Sequence, residues 1–129
     1  MNENEIAKEV VDSAIKVHST LGPGLLESVY EVVLAKELGQ RGLTIERQVK
    51  VPIQYEGVWL DEGFRADIII ERKVILELKS VEQLANVHYK QLRTYLKLAD
   101  KRLGILLNFG AELMKDGIKR IANGMTDPD

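Results

Sequence analysis

Three residues in the middle of the chain carry charge where the surrounding sequence is apolar: Asp67, Glu77 and Lys79. Asp67 lies in Arg65-Ala66-Asp67-Ile68-Ile69-Ile70, and the other two lie in Val74-Ile75-Leu76-Glu77-Leu78-Lys79. The polar segment Glu71-Arg72-Lys73 between them has the length of a hairpin loop. If those three residues are the loop, Ile70 pairs with Val74, and Asp67 falls directly opposite Glu77. Opposed residues share a face of a strand pair, as do residues i and i+2, so Asp67, Glu77 and Lys79 project to one side. Ile68, Ile70, Val74, Leu76 and Leu78 project to the other. A slip of one residue would separate the two carboxylates, so the inference depends on the turn.

Two carboxylates in that relation repel unless a cation neutralises them. A Mg²⁺ ion would do so, with Lys79 beside it. The competing reading is a solvated cluster of surface ion pairs, the better explanation for an arbitrary Asp/Glu/Lys trio. Against it stands the apolar sequence on either side, which is that of central strands covered on both faces.

Composition narrows the chemistry. With no cysteine and two histidines, His18 and His88, there is no thiolate site and little material for zinc, so any metal is a hard cation on oxygen ligands. A net charge of −2 over 129 residues lacks the footprint of a protein that coats nucleic acid. A metal site tolerates that charge, because the ion supplies positive charge where it is needed. The apolar runs are too short to span a bilayer, and the acidic start Met1-Asn2-Glu3-Asn4-Glu5 is unlike a signal peptide. The expectation is a cytoplasmic protein with no membrane partner, folded as one domain over residues 1–129.

The elements that must position the trio follow from periodicity. Ile6, Val10, Ala14, Val17 and Leu21 predict an amphipathic helix over about residues 5–20, broken by Leu21-Gly22-Pro23-Gly24. Leu26, Val29, Tyr30, Val33, Leu34 and Leu38 predict a second over 25–40. Three antiparallel strands follow at 44–55, 58–70 and 73–79. A helix over 83–99 should pack Leu84, His88, Gln91, Tyr95 and Leu98 toward the sheet. Leu103 to Phe109 reads as a strand buried on both faces. A final short helix over 112–122 precedes a polar tail with Pro128. The order predicts an α/β fold, αβββαβ with extra N- and C-terminal helices, in which the helix after the third strand crosses over to a parallel fourth in a mixed central sheet.

With these elements placed, the chain resembles a known family. Asp67, nine residues, then Glu77-Leu78-Lys79 resembles the D…(D/E)-x-K signature of the PD-(D/E)XK nuclease superfamily, on the second and third strands of its restriction-endonuclease-like fold. Gly24-Leu25-Leu26-Glu27-Ser28-Val29-Tyr30 matches the G-x-x-E-x-x-Y motif of the GxxExxY family within it. Gln91-Leu92-Arg93-Thr94-Tyr95 on the next helix adds to the match, which covers roughly residues 5–121. Ala66 departs from the proline of the superfamily's name, at a position that does not carry the chemistry.

The resemblance implies Mg²⁺- or Mn²⁺-dependent hydrolysis of a nucleic-acid phosphodiester, with DNA ahead of RNA as the partner. Asp67, Glu77, the Leu78 carbonyl and Glu27 would ligate the metal. Lys79 would orient the attacking water and stabilise charge on the phosphate, and Gln91 would line the same site. The residues themselves offer plainer explanations for several of these. A glutamate in a first helical turn is favoured by the macrodipole, although on a helical wheel Glu27 borders the apolar stripe. Gly24 reads as a turn or N-cap residue, and Tyr30 as a core residue whose hydroxyl positions a site carboxylate. His88 reads as a hydrogen-bonded packing residue before a proton carrier. Lys90, Arg93 and Lys97 form either a backbone-contacting row or a solvated face. Two alternatives from other classes are a silent nucleic-acid-binding module on the same fold and an interaction module such as a homodimer, with a structural cation.

Overall fold

A computed structural model describes residues 1–125; the polar tail that includes Pro128 lies outside the described residues. Helix α1 (Glu3–Leu21) starts on a reciprocal cap, in which the Asn2 side chain accepts the Glu5 N–H and the Glu5 side chain accepts the Asn2 N–H. It buries Ile6, Val10, Ala14 and Val17, the periodic face expected of it. Gly22 at φ +75° and Gly24 at φ +96° turn the chain into α2 (Glu27–Gln40), and a side chain at either position would be strained.

Strands β1 (Ile45–Tyr55), β2 (Val58–Ile70) and β3 (Val74–Lys79) run antiparallel in sequence order. Ile70 pairs with Val74, as the three-residue turn requires. Helix α3 (Asn86–Ala99) crosses over to β4 (Leu103–Asn108), which lies parallel to β3. A 3₁₀ turn at Met114–Gly117 then leads into β5 (Ile118–Ala122), antiparallel to β4. The five-stranded mixed sheet has the order β1-β2-β3-β4-β5.

The C-terminal helix predicted over 112–122 is therefore a 3₁₀ turn and a strand. Every residue of β4 is buried, so its outer edge would leave unpaired backbone groups without water. The β5 backbone satisfies them, and that demand outweighs the helix propensity of the segment. Gly117 is required at the approach, since a Cβ there would sit 2.4 Å from the Asn108 carbonyl oxygen.

One core packs α1 and α2 against Ile68, Ile70, Val74, Leu76 and Leu78, and the other packs α3 against Phe64, Ala66, Ile69 and Ile75. Both helices that frame the trio are rotated from their predicted faces. In α2, Leu26 (74% exposed) and Val29 face solvent, while Glu31 is buried beside Tyr30, Leu34 and Leu38. In α3 the central row is Leu92 and Leu96, with Gln91 and Leu98 exposed. Beyond Ile68 the β2 strand has no partner in β3, so the rest of the β1–β2 hairpin continues as a two-stranded arm. Tyr55, Val58, Trp59 and Leu60 are exposed near its tip.

Tyr30 ties the start of α2 to the core. Its ring stacks on Phe109 at 4.4 Å, while its hydroxyl donates to the Gly22 carbonyl at 2.5 Å and accepts the Leu25 N–H at 3.1 Å. The hydroxyl thus holds the loop before Glu27 rather than a carboxylate. Tyr30→Phe keeps the stacking and strands both partners, and should cost about 1–3 kcal/mol. Urea unfolding checks this, and an unchanged midpoint would show that the loop does not depend on the hydroxyl.

Candidate active site

The β2–β3 ladder ends at Ile68↔Leu76, one pair before Asp67 and Glu77 would meet. The expected backbone pairing of those two residues does not form. Instead the Asp67 Oδ2 accepts the Leu78 N–H at 2.8 Å, so a side chain takes the place of a ladder bond where the strands part. That bond keeps the carboxylate of β2 beside the stretch of β3 that carries Glu77.

Glu77 alternates with the apolar residues of β3 and so projects to the α3 side of the sheet, as Ile75 does. It is 5% exposed, and its Oε1 has no hydrogen-bond partner among the described residues. Desolvation is the main reason its carboxyl is pushed up to about 9, with the neighbouring Asp67 charge adding to the shift and Lys79 opposing it. Without a cation, then, Glu77 holds a proton through the neutral range. Lys79 at the end of β3 is half-buried and, among the described residues, makes no ion pair. Tyr95 of α3 completes this side. Burial and the two carboxylates raise its hydroxyl above the usual range, and its partner Phe64 on β2 stacks against it at 3.9 Å.

On the α2 side, Glu27, Ser28, Glu31, Gln48, Asp67 and Leu78 line a cleft of about 330 Å³. Glu27 occupies the first position of α2 and is exposed at its mouth rather than turned partly inward. Glu31, one turn further, is buried and anchored: Arg47 reaches its Oε2 at 2.8 and 3.0 Å, and Gln48 donates to its Oε1 at 2.6 Å. Asp67 is thus the junction, sharing the cleft with Glu27 and the strand end with Glu77.

The residues divide accordingly. Asp67, Glu77, Leu78 and Lys79 come together at one strand end, and Glu27 faces Asp67 across the cleft. Gln91 stands exposed one turn before Tyr95 and makes no side-chain hydrogen bond among the described residues. His88 accepts the Ala85 N–H through Nδ1 at 3.0 Å and so caps its own helix, while His18 bonds the Ala111 carbonyl at 2.8 Å and so ties α1 to the loop after β4. Glu31, Arg47 and Gln48 were not among the candidates. Glu31 carries a faint signal as an acid one turn beyond Glu27 within an apolar stripe; the other two read as ordinary polar strand residues.

Among the described residues, no three His, Cys, Asp or Glu side chains are gathered so as to hold a metal ion. The donor set nonetheless fits a hard divalent cation: oxygen groups only, a buried carboxylate with an orphaned oxygen, and a second carboxylate beside it. A cation there would replace the proton that Glu77 otherwise keeps.

A family model described as the PD-(D/E)XK nuclease superfamily matches residues 4–121. Among solved structures, the chain is similar to SSO0001, seen in a crystal structure, with 24% identity and a TM-score of 0.52 over 95% of this chain and 60% of that one. That likeness speaks for the fold, and this chain spans about 60% of the length of that protein. No curated protein matches the chain.

The raised Glu77 carboxyl has a consequence for stability. Between the ordinary value of 4.5 and about 9, the unfolded chain releases this proton while the folded chain keeps it. Metal-free stability should therefore fall as pH rises through that window. Melting in EDTA at about pH 5.5 and about pH 8.5 should give a lower midpoint at the higher pH, and Glu77→Gln should flatten the difference. Equal slopes for the two proteins would contradict the burial of this proton.

Proposed function

The chain belongs to the PD-(D/E)XK nuclease superfamily, and from that premise we propose that it is a Mg²⁺- or Mn²⁺-dependent nuclease of the GxxExxY branch, acting on DNA. The observation that carries this reading is the buried Glu77 carboxylate, with an unpartnered oxygen, held beside Asp67 where β2 and β3 separate. Burying one acid with a second, half-buried acid beside it is costly, and a divalent cation is the partner that resolves the repulsion.

Asp67 and Glu77 would hold the ion, with the Leu78 carbonyl and Glu27 completing its shell from the strand and from across the cleft. When bound, the cation polarises the phosphate and makes its water a stronger nucleophile. Lys79, which makes no ion pair among the described residues, would orient that water and donate to the phosphate oxygen on which charge develops. Gln91 and Tyr95 would line the α3 side, Gln91 as a donor to the nucleic-acid strand. Asp67 also has to remain an acceptor for the Leu78 N–H, which keeps one of its oxygens committed to the protein and directs the other outward.

Purified protein with Mg²⁺ or Mn²⁺ should cleave DNA, and Glu77→Ala and Lys79→Ala should each lower the rate by about 100-fold or more. Single-stranded DNA, duplex DNA and RNA are assayed in parallel. Cleavage unchanged in both variants would assign the activity to a contaminant. Binding without cleavage on every substrate would mark a silent binding module.

A further inference from the structure

Gln48 departs from the strand that contains it. Its φ is +50°, a left-handed conformation that L residues other than glycine rarely adopt. The β1–β2 ladder passes from Arg47↔Ile68 to Val49↔Ala66, so Gln48 and Asp67 face each other in the one gap between those pairs. The burial pattern reverses across the gap on both strands. Ile45 and Ile68 belong to the α1/α2 side, whereas Val49, Val51, Phe64 and Ala66 belong to the α3 side.

In a regular strand, adjacent side chains point to opposite faces. Here the adjacent residues Arg47 and Gln48 bond the same buried carboxylate, Glu31, and the left-handed turn at Gln48 is what allows it. With Glu31 Oε1 fixing the amide at 2.6 Å, the same Nε2 stands 3.5 Å from Asp67 Oδ1. The other Asp67 oxygen is held by the Leu78 N–H. Asp67 therefore sits between a backbone donor and a side-chain donor that is itself anchored through Glu31 to Arg47.

We propose that Gln48 is a positioning residue: its strained backbone is kept because it aims an anchored amide at Asp67 and sets the orientation in which that carboxylate meets the metal and its water. This rests on the metal-dependent reading above. Glu56, Glu71, Arg72 and Asp100 are left-handed too, but in turns or at a helix end; Gln48 lies inside a strand, where glycine would relieve the strain and where its persistence points to the needs of a site.

Gln48→Gly separates the roles. Glycine relieves the left-handed strain but also removes the amide's bond to Glu31, and because the two effects oppose each other the metal-free thermal midpoint should stay within about 3 °C of the wild type. The Leu78 amide should exchange with solvent about tenfold faster as its acceptor loosens, and the Kd for Mn²⁺ should rise by about tenfold. Gln48→Asn keeps an amide and tolerates the left-handed backbone but is one methylene short, so it should show the same two losses. Unchanged Leu78 exchange in both variants would overturn the proposal. So would a loss of thermal midpoint large enough to account for the faster exchange. If the wild type fails to bind Mn²⁺, the metal-dependent reading falls, and Leu78 exchange still decides whether Gln48 positions Asp67.

Discussion

The hydrogen bond from the Leu78 N–H to the Asp67 carboxylate is the constraint around which the site is arranged. Two antiparallel strands that part company leave backbone donors unpaired, and in a buried setting each must find an acceptor. An acidic side chain at the point of divergence meets that need. The bond decides where β2 leaves β3, and so where the arm begins and where the cleft between α2 and the strand end opens. It also draws Asp67 to the neighbourhood of Glu77 without the backbone pairing that periodicity alone would suggest.

The fold accepts an electrostatic cost at that place. Glu77 is enclosed by the apolar packing of β3, β4 and α3, with a like charge next to it and one ammonium near. A core flanks it on each side of the sheet, and the carboxylate keeps only a small part of its surface exposed. The polar cluster on the α2 side is built in the opposite way: Glu31 is buried too, but with three hydrogen bonds from Arg47 and Gln48. Of the two buried glutamates, the one on α2 is fully compensated and the one on β3 is left wanting a cation. That contrast separates a structural acid from a candidate ligand better than burial does.

Both helices that frame the site show the limit of periodicity. The apolar residues of α2 spread widely around the helix, and the rotation that buries Tyr30, Leu34 and Leu38 also brings Glu31 to Arg47 and Gln48 and leaves Leu26 and Val29 exposed. On α3 the contact with Gly104 sets the rotation. A Cβ at Gly104 would meet the Leu92 side chain at 2.9 Å, so glycine opens a socket for Leu92 and turns Gln91 outward. A helical wheel contains neither partner.

The sequence by itself determined the boundaries of the first four strands, the three-residue turn and the parallel crossover. These follow from local alternation and turn length, and a register slip would have moved whole apolar rows into solvent. Tertiary structure alone decided the rest. The segment after Gly117 became a strand because the buried edge of β4 needed hydrogen-bond partners more than the segment needed a helix. The trio that opened the sequence analysis is held by a side-chain bond instead of a ladder pair, and is flanked by Glu31, Arg47 and Gln48. Glu31 leaves only a faint mark in the sequence and Arg47 and Gln48 none, because a left-handed residue inside a strand leaves no periodic trace, and long-range bonds to a buried acid depend on which face of α2 turns inward.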